Sequence, residues 1–133
     1  MNDYLSSVHK RFASYKELGE KTFGQLKDEG LFWQYNAESN SIAIIVQHLA
    51  GNMISRWTDL LTSDGEKPWR HRDQEFEAVL SGRRELVDRW NEGWKCLFET
   101  LETLKEDDLQ KTIYIRSEPH TVLDSKRWLG NLQ

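Results

Sequence analysis

Leu86, Val87, Trp90, Trp94, Leu97, Phe98, Leu101 and Leu104 recur at spacings of three and four over residues 82–104. A run of this kind lies on one stripe of an α-helix, and that stripe must be covered by other elements. Two further stretches repeat the pattern. Over 2–29 the stripe is Leu5, Val8, Phe12, Tyr15, Gly19, Phe23 and Leu26; over 41–62 it is Ile42, Ile45, Val46, Leu49, Met53, Trp57 and Leu60. Three long amphipathic helices in 133 residues predict an all-α fold, an antiparallel helical bundle in a single domain over 1–133. Two prolines and six tryptophans suit long helices with bulky side chains between them.

The helix limits have local causes. Asn2 or Asp3 is placed to cap the first helix and Gly30 to stop it. Ser41 ends a capping run before the second helix, and Ser81 precedes the third. Residues 62–68 are a turn by composition, and 111–116 alternate with β-branched residues, which predicts an extended segment. Residues 121–132 are expected to begin a fourth helix, with Thr121 near its cap.

Composition excludes several functions. A net charge of −4 at pH 7 argues against a nucleic-acid binder. No apolar run approaches the roughly 20 residues needed to span a bilayer, and the N-terminus lacks a signal-peptide layout. One cysteine predicts a reducing, cytoplasmic setting. No phosphate-loop, serine-hydrolase, zinc-finger or metalloprotease motif is present.

The second helix carries the most informative polar residues. His48, Asn52 and Arg56 are four apart and form one row, with Arg56 inside the apolar stripe, Asn52 at its edge and His48 at the rim. Inward-facing polar groups of this kind build ligand and metal sites in bundles. Position alone favours the plainer alternative, a rim histidine and an arginine whose stem lies on apolar surface. The loop over 64–76 is dense in charge and aromatic surface. It is either a lid over an anionic or polar small molecule or, as its balanced charges favour, a solvated loop with internal ion pairs. Trp57 and Trp69 complete the candidate pocket with Asn52 and Arg56. His9 and His120 suit surface or capping roles, and Cys96 has no partnering base nearby beyond Lys95.

The run Asn40-Ser41-Ile42-Ala43-Ile44-Ile45-Val46-Gln47-His48-Leu49-Ala50-Gly51-Asn52-Met53 carries a wider likeness. With Ser55-Arg56-Trp57-Thr58-Asp59, Asp64-Gly65-Glu66-Lys67-Pro68-Trp69, Arg72-Asp73-Gln74-Glu75-Phe76, Ile113-Tyr114-Ile115-Arg116 and Glu118-Pro119-His120-Thr121, it resembles a bacterial branch of the DinB-like (YfiT-like) superfamily over roughly 1–124. The resemblance implies an antiparallel four-helix bundle, often a homodimer. It also implies a divalent metal held by three histidines, one from the second helix, where His48 matches, and two from a His-x-x-x-His pair on the fourth. Some members are thiol transferases and others are called metal-dependent hydrolases.

The chain departs from that pattern after Asp124. No histidine follows His120, and about 13 residues remain for the fourth helix, which is therefore expected to be shortened. The tail resembles a truncated or frameshifted end. The expectation is a metal site incomplete beyond His48, weak or absent zinc or nickel binding, and little metal-dependent catalysis. Two alternatives stand beside it. A working metal-dependent hydrolase or thiol transferase would take ligands from His120, Glu75, Asp73 or a second subunit. A homodimeric small-molecule-binding or assembly protein would cover apolar stripes left bare by the short helix.

Overall fold

The computed structural model describes residues 3–36, 39–77 and 80–124. The fold is all-α in its bulk. Helices α1 (Asp3–Gln25), α2 (Asp28–Phe32), α3 (Ile42–Trp57) and α4 (Arg83–Thr103) are followed by a small hairpin, β1 (Thr112–Ile115) and β2 (Glu118–Thr121). No helix among the described residues is long and apolar enough to cross a membrane.

The three long helices bury an aromatic core. Phe12 of α1 meets Trp57 of α3 and Trp94 of α4 edge-on, at centroid distances of 5.9 and 6.2 Å. Trp94 packs against Trp90 and Phe98, and Phe23 against Trp90. The offset and edge-on geometries suit the ring quadrupoles. Helices α3 and α4 cross closely where Ala50 meets Gly93. A Cβ on Gly93 would lie 2.9 Å from the Ala50 backbone.

Ser41 caps α3 as expected, its side chain accepting from the Ile44 amide at 3.1 Å. The first helix ends earlier than its pattern implies. It stops at Gln25, and Gly30 falls inside the separate short helix α2. Arg83 at the start of α4 closes that break by donating to the carbonyls of Phe23 and Leu26 and to Asp28, which satisfies carbonyls a helix end leaves free.

A single buried stripe does not describe α3. Ile45, expected in the core, is 46% exposed, while Ala43, Ile44, Gln47, Gly51, Asn52 and Ser55 are buried. The helix has neighbours on several sides: α4, α2 and a 3-10 turn over Arg72–Phe76. It is a central helix, and polar side chains are buried with it.

The extended segment at 111–116 is strand β1. The predicted break at Ser117, Glu118 and Pro119 is instead the turn and start of β2, and Thr121 closes β2 instead of capping a helix. The rest of the expected fourth helix, residues 125–133, lies outside the described residues. Ile115 pairs with Glu118, leaving Arg116 and Ser117 as a two-residue turn with φ of 52° and 65°. Positive φ at both centres is the type I′ pattern, usually filled by Asn-Gly. Neither residue here is glycine, and the cost of roughly 1–2 kcal/mol per residue needs an external support. Asp64 supplies it. Its carboxylate accepts from the amides of Arg116 (2.9 Å) and Ser117 (2.7 Å), and also of Glu66 in its own loop (2.8 Å). The Gly65 amide adds a bond to the Tyr114 carbonyl.

The amide bonds from Glu66, then those from Ser117 and Arg116, outweigh desolvation and hold the Asp64 carboxyl below its ordinary value of 3.8. A lowered carboxyl contributes stability that is present above the unfolded value and lost as pH falls through the folded one. Asp64→Asn, which keeps one acceptor oxygen and no charge, is expected to lower stability at neutral pH by about 1–2 kcal/mol and to speed amide exchange at Arg116 and Ser117. Urea denaturation down a pH series checks the sign. The gap between parent and variant closes in acid below the carboxylate range, and a gap independent of pH would refute the assignment.

Candidate functional site

Helix α3 presents two adjacent polar rows. The row Gln47, Gly51 and Ser55 clamps the chain between α3 and α4. Ser55 Oγ donates to the Gly65 carbonyl at 2.6 Å and accepts from the Lys67 amide at 3.1 Å. Lys67 is itself buried, and its Nζ donates to the carbonyls of Ser55 and Asp64 at 2.5 and 2.7 Å. Burial pulls that amine below its usual range, with Asp59 and Asp64 acting in opposition.

At the other end of the row, Gln47 Nε2 donates to the carbonyls of Glu75 and Glu77, and its Oε1 accepts from the Leu80 amide. One side chain thus satisfies three backbone groups of a segment with little regular structure of its own. Between them, Gly51 leaves room for the Glu75 carboxylate to lie on the helix. A Cβ at Gly51 would sit 1.9 Å from Glu75 Oε2.

Glu75 is the hub. Arg70 grips it with two bonds, Nε to Oε2 at 3.0 Å and Nη2 to Oε1 at 2.9 Å. Arg70 Nη1 also reaches Glu66 at 3.3 Å. The Arg70 side chain is 2% exposed and that of Glu75 9%, so the pair has left water, where bidentate geometry matters most. His48 Nδ1 lies 3.1 Å from Glu75 Oε1, and the His48 ring packs on Phe76 at 4.9 Å. Burial pushes the Glu75 carboxyl up, but the hydrogen bonds of His48 and Arg70 and their charges pull harder, so it stands below its ordinary value. The loop's internal ion pairs are therefore present, as its balanced charges predict, but buried.

Beside this network opens a cleft of about 520 Å³ between α3, α4 and the loop. Gln47, Gly51, Trp69, Arg70 and Glu75 line it, with Arg89 and Glu92 from α4. Of the candidate pocket residues, only Trp69 belongs to this cleft. Asn52, Arg56 and Trp57 come together elsewhere, in a small cavity under the hairpin. His48 stands at the rim of the Glu75 network. The pattern of apolar residues did not single out Gln47, Gly51, Ser55 or Arg70. The first three share a signal, small and amide residues four apart on one helix, a row that lets another segment approach; Arg70 has no such signal.

A three-histidine metal site does not fit the described residues. The Nδ1 bond to a carboxylate leaves Nε2 as the His48 nitrogen without a partner among the described residues, the arrangement a metal-binding histidine adopts. No group of three or more His, Cys, Asp and Glu among the described residues has the geometry to hold an ion, and Glu75 already carries Arg70. His120 lies on β2 and Asp73 in the 3-10 turn, and neither joins His48 in such a group.

Among protein families, one described as a protein of unknown function (DUF1572) matches residues 1–128. No curated protein and no solved structure matches the chain.

The Gly51 contact carries a stability prediction. Gly51→Ala is expected to destabilise by about 2–4 kcal/mol through expulsion of Glu75, although Gly→Ala in an open helix gains up to about 1 kcal/mol. Gly24 in α1, with nothing within 4 Å of a built Cβ, is the control. Urea denaturation should show Gly24→Ala neutral or stabilising, and a Gly51→Ala as stable as that control would disprove the close packing.

Proposed function

The chain belongs to the DUF1572 family, and from that premise we propose a DinB-like helical protein whose three-histidine metal centre is reduced to His48, with little or no metal-dependent catalysis. The observation that carries this reading is the engagement of His48 with the Arg70–Glu75 pair. One imidazole and one carboxylate fall short of the three or more protein donors of a tight zinc site. A cation on Glu75 Oε1 would also face the Arg70 guanidinium 2.9 Å from the same oxygen. What remains is a binding protein. The cleft offers the flat apolar face of Trp69 and the polar groups of Gln47, Arg89 and Glu92 to a small polar molecule. The single cysteine supports a cytoplasmic setting, and the acidic balance supports a partner other than nucleic acid.

A metal-dependent hydrolase or thiol transferase is the second reading, and the Nε2 of His48, without a partner among the described residues, favours it. Its further ligands would come from a second subunit. Exposed Trp33, Tyr35, Ile45 and Phe76 offer apolar surface for such a homodimer.

Elemental analysis and zinc and nickel titration, run beside light scattering, separate the two. The proposal expects substoichiometric metal and no sub-micromolar site. One metal per chain, bound below micromolar and lost in His48→Ala, would overturn it, and a dimer in that same sample would favour the second reading.

A further inference from the structure

Two polar side chains of α3 have no place in the cleft or the His48 network. Asn52 is 5% exposed, and Arg56 follows one turn later. Both line a cavity of about 10 Å³ bounded by Leu60, Gly65, Ile113 and Ile115. That is room for one oxygen-sized atom. Arg56 Nε is buried without a hydrogen-bond partner among the described residues. Among the described residues the guanidinium also makes none of the ion pairs that Arg70, Arg83, Arg89 and Arg116 make. Arg56 as a whole is half-buried, but a buried donor without a partner needs an explanation.

The neighbouring charges sharpen the anomaly. Burial, then the positive charge of Arg70, holds Arg56 below its ordinary value; Glu66 opposes, and Arg116 and Arg72 add to the lowering. The one carboxylate in that set is already shared, by Arg70 at 3.3 Å and Arg116 at 3.8 Å. Arg116 sits on the type I′ turn whose left-handed backbone Asp64 holds in place. Strained, externally supported backbone of this sort clusters at ligand sites.

We propose that Asn52, Arg56 and Arg116 form a binding site for a small oxyanion, a phosphate or carboxylate group, with one of its oxygens seated between Asn52 and Arg56. The Arg56 Nε–H and the Asn52 amide donate to that oxygen, while Arg116, which is exposed, balances the charge that remains outside. Arg and planar or tetrahedral oxyanions match in fork geometry. The site is separate from the cleft and stands whether or not His48 binds a metal.

The test uses the full chain, titrated with inorganic phosphate and, separately, acetate, each against chloride at constant ionic strength. Side-chain NMR of the arginine Nε–H and asparagine amide groups is read together with thermal melts. The expected result is a saturable shift at Arg56 and Asn52 with a rise in melting temperature; the stronger of the two anions identifies the group. Arg56→Met keeps the stem and removes the charge. It is expected to melt no lower than the parent in chloride and to lose the response. Arg116→Gln, at an exposed position, is expected to weaken binding about tenfold, and it decides the matter if Arg56→Met does not fold. Absence of a saturable shift with either anion assigns the cavity to a water and overturns the proposal, as does an undiminished response in Arg56→Met or Arg116→Gln.

Discussion

The contact on which the rest of the site depends is the approach of the Glu75 carboxylate to the backbone of α3 at Gly51. It brings an acid out of water onto the side of a helix, a move that costs several kcal/mol unless the charge is met in full. Arg70 meets it with two parallel bonds and His48 with a third. The consequence is structural. With Glu75 fixed, the 3-10 turn Arg72–Phe76 is fixed with it, and its carbonyls fall within reach of Gln47. The cleft wall formed by Trp69 and Arg70 follows. Without the glycine, the acid, the arginine and the wall have no common position.

The same logic runs along the other half of the row. The chain from Thr58 to Lys67 has no helix or strand of its own; backbone turn bonds satisfy part of it, and side chains supply others. Ser55, Lys67 and Asp64 each bond main-chain groups, and Asp64 carries the connection across to the hairpin. Lys67 shows how far this goes. It is a buried cation whose direct hydrogen-bond partners are two carbonyl oxygens, with carboxylates acting only at a distance. Ordering the loop therefore depends on single residues, each with several partners, which makes the network cooperative.

The three long helices were legible because amphipathic periodicity is a local signal and these helices obey it. Phe12, Trp90, Trp94 and Leu97 are buried where the spacing puts them. Ser41 was legible as a cap for the same reason, and 111–116 as a strand. Helix α3 was legible as a helix but not in its burial. A one-sided stripe describes a helix at the surface of a bundle, and α3 is covered on several sides, so Ile45 faces out and Gln47 faces in. The hairpin turn was missed because its residues, Arg116 and Ser117, are not the usual ones for left-handed backbone. What permits them is Asp64, 52 residues earlier, and no local pattern contains that. The site was half legible for a related reason. The row His48, Asn52 and Arg56 stood out by chemistry, whereas the row Gln47, Gly51 and Ser55 looks like helix filler until the loop is laid on it.

The two rows together explain why His48 and Arg56 part company. They lie on one line of α3, two turns apart, but the segments packed on that line differ. At His48 the 3-10 turn brings a carboxylate, and the imidazole becomes part of a neutralised network. At Arg56 the hairpin brings another arginine, and the acid at hand, Glu66, is already divided between two partners. One end of the row is therefore electrostatically closed and the other open. Arg56 is half-buried, and its buried Nε–H is a donor left for an anion to meet, whereas a histidine tied to an arginine-bound acid makes no comparable demand for a cation. The chemistry that the fold leaves unsatisfied on this helix is anion binding.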